Sequence, residues 1–293
     1  MAGVTALFSS PTDDYICKRS EKQLKLLWQR HNCSTVTDMA LLYDRSLLYI
    51  TQPTDPEDRI KQLKALDAKG RRCDFLPFGG AFKSPRSIGA NNDGKTVVLL
   101  DRIDGDESLI YVFQKERAGS TWSSTNIVDV VLMQWLEKVP PLGGLQISCT
   151  TYVDNLVVTF DERGKKLWDH RLADEVPNID GKCIDADPDG NLVVCCPRNG
   201  DRNGSTIVID RNGRTISMFP PELLHDPRGV CFTSNRHLLV SDWGSRGVFL
   251  FSVDWVFIRQ VVRLDRKPTC LTLFADKLIS IAFEDGSIQT YTI

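Results

Sequence analysis

The sequence contains no apolar run that approaches the roughly 18 residues needed to cross a membrane as a helix. It has no large excess of charge of one sign either. The formal net charge is −2, so nothing draws the whole chain to nucleic acid or to a lipid surface. No Pro-, Gly- or Ser-rich linker and no low-complexity segment divides the chain. We therefore expect a single domain over residues 1–293 and no membrane partner.

Several motifs of common enzymes are also missing. There is no Cys-x-x-Cys pair for zinc, no His-Glu-x-x-His motif and no Gly-x-Ser-x-Gly elbow. Of the four histidines, His31 and His225 precede predicted strands, but two imidazoles without a third ligand are weak support for a catalytic metal. We expect no enzymatic activity, no metal and no small-molecule cofactor. A metal-dependent hydrolase or lyase is the least favoured alternative.

The nine cysteines do not form a recognisable disulfide framework. Their odd number, irregular spacing and the adjacent pair Cys195-Cys196 argue against one. Cys183, Cys231 and Cys270 fall in apolar strand segments, where a buried thiol packs like a small apolar side chain. We predict a reducing compartment, most simply the cytoplasm. The first residues lack the basic start of a secretory signal, so we expect none.

What the sequence does contain is a repeat of short strands. Residues 229–232, 237–241 and 248–251 are apolar runs too short for helices, and polar turn residues bound each one. The pattern recurs at 183–186 with 191–194, at 84–88 with 97–101 and 109–113, and at 267–271 with 277–281 and 287–293. A weaker copy has strands at 36–42, 47–51 and 61–66, and residues 73–75 close it as its last strand. In several copies a polar turn with Gly leads into a fourth strand.

Four short antiparallel strands in roughly 40 residues are typical of a β-propeller blade. We therefore predict an all-β, six-bladed β-propeller, or a seven-bladed one, with four-stranded antiparallel blades. The C-terminal copy stops at its third strand, and residues 23–28 resemble an unpaired fourth strand. We predict that these two ends pair and close the ring, which would remove exposed strand edges. A short amphipathic helix at 23–28 is the alternative.

One copy carries a family likeness: Pro227-Arg228-Gly229-Val230, then Leu238-Leu239-Val240-Ser241-Asp242, then Arg246-Gly247-Val248-Phe249-Leu250-Phe251. This order of a Pro-x-Gly-Val segment, an apolar strand ending in Asp and a basic residue before the next strand resembles the NHL repeat. Residues 84–113 match with Ser87 in place of the Gly, and Cys195-Cys196 replace the Asp in another copy. The protein resembles the C-terminal propeller of tripartite-motif NHL proteins.

That resemblance implies a propeller that binds single-stranded RNA or protein partners on one face. The RING and B-box zinc motifs of that family are absent from this sequence, so the resemblance does not imply ligase activity. A propeller brings the loops before the innermost strands onto one face with the loops between second and third strands; we call it the top face. Its candidate RNA- or partner-binding residues are Arg86, Lys182, Arg198, Arg202, Arg228, Trp243, Arg246, Arg266 and Lys267.

Two interpretations of these residues stay open. The cations could contact phosphates while Trp243 stacks on bases. Alternatively, each Arg caps its own blade or is solvated, and Trp243 packs between blades like the other tryptophans. Acidic residues share the top face, so we expect at most a basic groove over half of it. We rank single-stranded RNA binding by a post-transcriptional regulator first, with a protein-interaction platform on the same face nearly equal.

Overall fold

The computed structural model of the protein describes residues 25–31, 34–52, 62–73, 82, 84–90, 96–102, 107–114, 123–131, 133–139, 146–151, 156–161, 165–172, 183–187, 189–198, 204–219, 223–274 and 277–292. The described strands follow one another along the sequence. In sequence order they are β1 (Lys25–His31), β2 (Val36–Leu41), β3 (Leu47–Thr51), β4 (Gln62–Leu66), β5 (Pro85–Ala90), β6 (Thr96–Arg102), β7 (Glu107–Gln114), β8 (Ser123–Val131), β9 (Met133–Val139), β10 (Gln146–Thr151), β11 (Leu156–Asp161), β12 (Lys166–Arg171), β13 (Cys183–Ala186), β14 (Leu192–Cys196), β15 (Ser205–Ile209), β16 (Thr215–Phe219), β17 (Pro227–Phe232), β18 (Leu238–Asp242), β19 (Gly247–Phe251), β20 (Phe257–Arg263), β21 (Pro268–Phe274), β22 (Leu278–Phe283) and β23 (Ser287–Thr292).

These strands form small antiparallel sheets in which sequence neighbours pair. Four sheets are simple meanders in the orders β5-β6-β7-β8, β9-β10-β11-β12, β13-β14-β15-β16 and β17-β18-β19-β20. A fifth four-stranded sheet, β21-β22-β23-β1, combines the two ends of the protein, and β2-β3-β4 has three strands. The first strands of successive sheets contact one another, from β2 to β5, β9, β13, β17 and β21, and β21 contacts β2. The protein is therefore an all-β propeller of small antiparallel sheets.

The strand count differs from the prediction in one sheet. Five blades are four-stranded within the described residues, rather than the six or seven predicted, because pairing in the sheet β2-β3-β4 stops after its third strand. The backbone turns at Asp67, and the described residues that follow, up to Cys73, form one isolated bridge, between Leu66 and Arg72. Most of the predicted fourth strand, at 73–75, lies outside the described residues.

The N-terminal described segment is a strand, not a helix. Lys25 pairs with Thr292 and His31 with Ser287, in an antiparallel register with one irregularity between Leu26 and Trp28. The predicted pairing of the two ends is thus present from Lys25 onward, and the amphipathic-helix alternative is wrong there. Gln23 and Leu24 lie outside the described residues.

Neighbouring blades pack face to face through apolar side chains. One cluster joins Val193 and Val208 of one blade to Val230, Val240 and Phe251 of the next. Large rings fill the outer part of these wedges: Trp168 of β12 lies against the turn glycine Gly213 of the next blade, where an added Cβ would come within 2.9 Å of the ring. The predicted inter-blade packing of Trp168 is confirmed.

The Gly of the Pro-x-Gly-Val segment is required by blade packing. A Cβ on Gly229 would lie 2.5 Å from the Ser241 hydroxyl and 2.8 Å from the backbone nitrogen of Leu271, in the first strand of the following blade. Backbone, unlike a flexible side group, cannot move aside. The close approach of β17 to β21 therefore depends on the absence of a side chain at this position.

We predict that Gly229→Ala lowers the free energy of unfolding by about 1–3 kcal/mol, the usual cost of overpacking a closely packed site. Gly247→Ala is the matched control, since its nearest new contact is the mobile amide end of Gln260 at 2.5 Å. Urea denaturation of both variants and the parent protein measures the difference. Equal stability of the two variants would contradict the packing argument.

Candidate functional site

A buried carboxylate organises the top face of the blade β17–β20. Asp242, at the end of β18, has no exposed surface, and a carboxylate in that position needs hydrogen-bond partners. One of its oxygens accepts the backbone N–H of Asp226 at 2.8 Å. The other accepts the backbone N–H and the hydroxyl of Ser245, at 2.6 and 2.8 Å. Asp242 thus ties the loop before β17 to the loop between β18 and β19.

The same arrangement recurs in the blade β5–β8. Asp101, in β6, is 2% exposed, and its carboxylate accepts the backbone N–H of Ser84 at 2.7 Å. Ser84 stands before Pro85 as Asp226 stands before Pro227, and in both blades the Pro pairs with the Asp in register. The strand-ending Asp found in the sequence pattern therefore has a structural role in both of these copies.

Asp226 extends this network toward solvent. Its carboxylate accepts the backbone N–H of Arg198, from the preceding blade, at 3.1 Å and forms an ion pair with Arg228 at 3.0 Å. Its carbonyl accepts the backbone N–H of Trp243 at 2.8 Å. The Asp226 side chain is 5% exposed and the Arg228 side chain 35%. Arg228 is therefore held within its own blade, as the capping interpretation expected, although by a carboxylate rather than by a turn carbonyl.

Trp243 lies at the centre of a cationic cluster, which we call the Trp243 cluster: Arg228, Trp243 and Lys267. The guanidinium carbon of Arg228 lies 4.5 Å from the centroid of the indole ring, and Nζ of Lys267, from the next blade, lies 3.5 Å from it. Both distances are within the range of cation–π attraction. The ring is partly buried rather than fully exposed. A ligand that stacks on it would compete with these two cations.

Arg266 forms ion pairs with two carboxylates of its own blade. Its guanidinium contacts Asp285 at 3.1 Å, Asp265 at 3.3 Å and the hydroxyl of Ser287 at 2.6 Å. It also lies 4.7 Å from the centroid of the Phe283 ring. These contacts stabilise the loop before β21, so the positive charge of Arg266 is largely compensated within the protein.

Of the other predicted residues, the structure describes Arg86, Arg198 and Arg246. Arg246 is exposed and adjacent to the Trp243 loop, with φ of 56°, and its carbonyl accepts the N–H of Leu264 at 2.7 Å. Arg86 occupies the position in β5 that Arg228 has in β17, but β5 contacts β2 and β9 rather than β17. Arg86 is therefore not part of the Trp243 cluster. Lys182 and Arg202 lie outside the described residues.

Two inner-strand carboxylates were missed by sequence analysis. A small cavity of about 60 Å³, partly open to solvent, lies between first strands and is lined by Asp38 of β2 and Asp185 of β13, among others. Asp38 accepts the N–H of Ile88 at 2.9 Å and Asp185 accepts that of Phe232 at 2.7 Å, each from the following blade. The signal was present in the sequence as a single Asp within each short apolar strand. These carboxylates link neighbouring blades along the axis.

The buried thiols are poor nucleophiles. Burial raises the pKa of Cys195 to about 12 and raises the pKa values of Cys183 and Cys270 well above the usual thiol range. All three are thus protonated at neutral pH. Cys231 and Cys270 are buried in their first strands, which confirms the prediction that they pack as small apolar side chains.

One motif match was overlooked in the sequence. Residues 89–96 have the spacing Gly-x-x-x-x-Gly-Lys-Thr of a phosphate-binding loop. That chemistry needs a strand, a loop and then a helix whose N-terminus faces the phosphates. Here the segment joins β5 to the antiparallel strand β6. Because a strand follows in place of a helix, the match carries no nucleotide-binding argument.

Among the described residues there is no group of three or more His, Cys, Asp or Glu placed to hold a metal ion. Within the same residues, no helix is long and apolar enough to span a membrane. No model of a known protein family matches the sequence, and comparison with curated proteins finds no similar one.

We predict that Asp242→Ala lowers the free energy of unfolding by about 2–4 kcal/mol, because three donors lose a charged acceptor in a buried place. Asp254→Ala is the control: Asp254 is exposed in the turn after β19, and its loss should change stability by less than about 0.5 kcal/mol. Chemical denaturation measures both. A cost for Asp242→Ala no larger than that of the control would show that the network does not hold the loop.

The acid dependence of stability tests the Arg266 contacts. Burial alone would raise the pKa of Asp285, but hydrogen bonds from Ser287 and the ion pair with Arg266 outweigh it and hold this pKa below its usual value. A carboxyl group with a lowered folded-state pKa stabilises the protein above its unfolded pKa, and that contribution is lost as pH falls through the folded pKa.

Asp285→Asn should therefore be less stable than the parent at pH 7, by at most about 1 kcal/mol for a partly exposed pair. The difference should shrink as the pH falls below about 4, the ordinary pKa of Asp. Urea midpoints of both proteins across this pH range check the expectation. A difference that stays constant down to the most acidic point would contradict it.

Proposed function

We propose that this propeller is a non-catalytic recognition domain that binds a protein partner at the Trp243 cluster on its top face. The proposal rests on one observation: Arg228 and Lys267, from two neighbouring blades, both lie over the partly buried ring of Trp243. Tryptophan and arginine are among the side chains most enriched at the energetic centres of protein interfaces. A rigid scaffold that presents such a centre on loops is the usual arrangement of a recognition domain.

The distribution of charge supports a protein partner over a long polyanion. The ion pair with Asp226 compensates Arg228, and Asp265 and Asp285 compensate Arg266. The whole chain also has a formal net charge of −2, so the described part of the top face offers little general attraction for a phosphate backbone. Mixed charges at an interface contribute mainly to specificity and orientation, which suits recognition of one protein segment.

Single-stranded RNA is the second candidate, and the resemblance to NHL propellers implies it. The supporting observation is that exposed Arg246 lies in the loop that carries Trp243, and that exposed Arg198 bonds through its backbone N–H to Asp226, whose carbonyl accepts the N–H of Trp243. Proteins that bind single strands combine a stacking aromatic side chain with nearby cations. In this case the protein acts as a post-transcriptional regulator. An RNA base that stacks on Trp243 must then share the indole ring with the ammonium group of Lys267.

We also propose that the protein is a closed, six-bladed propeller of NHL type, a fold that suits a recognition domain. We take the three-stranded sheet β2-β3-β4 as a sixth blade of NHL type and the pairing of β1 with β23 as the closure of the ring. Support comes from the contacts of β2 with both β5 and β21. It also comes from Asp101 and Asp242, each of which accepts the backbone N–H of the residue before the first strand of its blade. The free thiols among the described cysteines suit a reducing compartment such as the cytoplasm.

Fluorescence anisotropy with labelled acidic peptides and labelled mixed-sequence and uridine-rich RNA oligonucleotides tests the proposal over a series of salt concentrations. We expect peptide binding with a shallow salt dependence, weakened roughly tenfold by Lys267→Ala through the loss of one charge-assisted contact. Lys277→Ala, which removes an exposed charge from the turn before β22, should bind as the parent does.

The outcomes separate the candidates. RNA binding with a steep salt slope, together with no binding of peptides, would replace the protein partner with RNA. Binding of either probe that is unchanged by Lys267→Ala would place the site away from the Trp243 cluster, and the proposal would fail.

A further inference from the structure

The indole N–H of Trp243 is an unusual donor. It is buried, and it has no hydrogen-bond partner in the part of the protein that the structure describes. The great majority of buried polar groups in folded proteins do have a partner, so an unpartnered donor is a candidate for binding an acceptor from outside the protein. The backbone N–H of the same residue is satisfied by Asp226, so the loop itself is well held and only the side-chain donor is unmatched.

The ammonium group of Lys267 is the second unmatched group. It lies 3.5 Å from the centroid of the Trp243 ring and, unlike Arg228 and Arg266, forms no ion pair with a carboxylate of the described residues. The residue is only partly exposed, so water screens this charge less than it would at a fully exposed site. A cation and a neutral donor thus share one location without an acceptor.

We propose that the Trp243 indole N–H and the Lys267 ammonium together bind a single carboxylate group of the protein partner. This inference rests on the function proposed above and names the chemistry that the partner must supply. One oxygen of the carboxylate accepts from the indole nitrogen and the other from Nζ of Lys267. Both bonds have a charged acceptor, and the ammonium bond joins two charges, which makes it the stronger kind.

A monovalent group suits the site better than a series of phosphates. One uncompensated cation is present in the cluster, while the Arg228 charge is already used by Asp226. The buried carboxylates of Asp226 and Asp242 bond to the same loops and disfavour more negative charge than the single Lys267 cation balances. The carboxylate can come from an Asp or Glu side chain or from the free carboxyl end of a polypeptide, and these sources differ only in what surrounds the group.

Binding requires a small movement of Lys267. The ammonium now rests over the indole ring, and the N–H is shielded from solvent. A lysine side chain has a flexible four-carbon stem, and rotamer changes of this kind take place in picoseconds to nanoseconds at exposed positions. A carboxylate that binds the ammonium draws it off the ring face and brings its second oxygen to the indole N–H, so both donors are satisfied.

Nuclear magnetic resonance of the indole N–H groups tests this site directly. The protein has six tryptophans, and the Trp243 signal is identified by its loss in Trp243→Phe. The probes are three N-acetylated tripeptides: one with a central glutamate and an amidated C-terminus, the same peptide with glutamine, and a triglycine with a free C-terminal carboxylate. We expect a carboxylate peptide to shift the Trp243 signal and the glutamine peptide to leave it unchanged. The two carboxylate arms distinguish a side-chain source from a C-terminal source.

Two variants make the result specific. Trp243→Phe keeps an aromatic ring beside the cations, although a smaller one, and has no N–H, so the affinity for the carboxylate peptide, followed by titration calorimetry, should fall about tenfold. Lys267→Met keeps the apolar stem and should reduce the affinity at least as much, whereas the matched Lys277→Met should not change it. Thermal unfolding of each variant shows whether it remains folded, and a variant that unfolds early is replaced by Trp243→Leu or Lys267→Leu, which also lack a side-chain donor.

An indole signal that neither carboxylate peptide moves, or equal affinities of the parent and Trp243→Phe, would overturn the inference. This failure is distinct from a failure of the proposed function. If Lys267→Ala abolishes binding of longer acidic peptides while the indole signal stays unchanged, the top face recognises proteins without this carboxylate site. If neither measurement responds to changes in the Trp243 cluster, both proposals fall.

Discussion

The geometry of the top face depends on the buried carboxylate of Asp242. It accepts three hydrogen bonds from two loops, and its position at the end of β18 is set by the sheet. Asp226 is thereby fixed, and Asp226 in turn holds Arg228 and the backbone of Trp243. Because a buried carboxylate without donors is very costly, the loops have few alternative conformations. These bonds hold the loop before β17 and the loop between β18 and β19 in a fixed conformation.

A second constraint joins the blades to one another. Gly229 lets β17 approach β21 so closely that no side chain fits, and Asp38 and Asp185 bond to backbone N–H groups of the following blades. Lys267 crosses the same type of boundary when it lies over Trp243. The positions of the side chains in a site between two blades therefore depend on how those two blades pack.

The same carboxylates that order the loops also decide what the face attracts. Arg228 and Arg266 are bound to acidic side chains and serve the architecture, while Lys267 is the cation of the cluster without an acidic partner among the described residues. A count of basic residues therefore overstates the attraction for a polyanion. What remains is a local site with an aromatic ring, one available charge and an indole donor, suited to a short segment of a partner.

The all-β propeller, the rhythm of its strands, the pairing of the N- and C-terminal segments and the packing of Trp168 could all be predicted from the sequence, because they follow from local periodicity and turn chemistry. The three-stranded sheet, the ion pairs of Arg228 and Arg266, and the two axial carboxylates could not, because a residue's partners lie in other loops or other blades. Sequence spacing places Arg228, Trp243 and Lys267 on one face. Only the tertiary structure decides that their side chains meet, since that depends on how closely two sheets approach and which carboxylates reach each cation first.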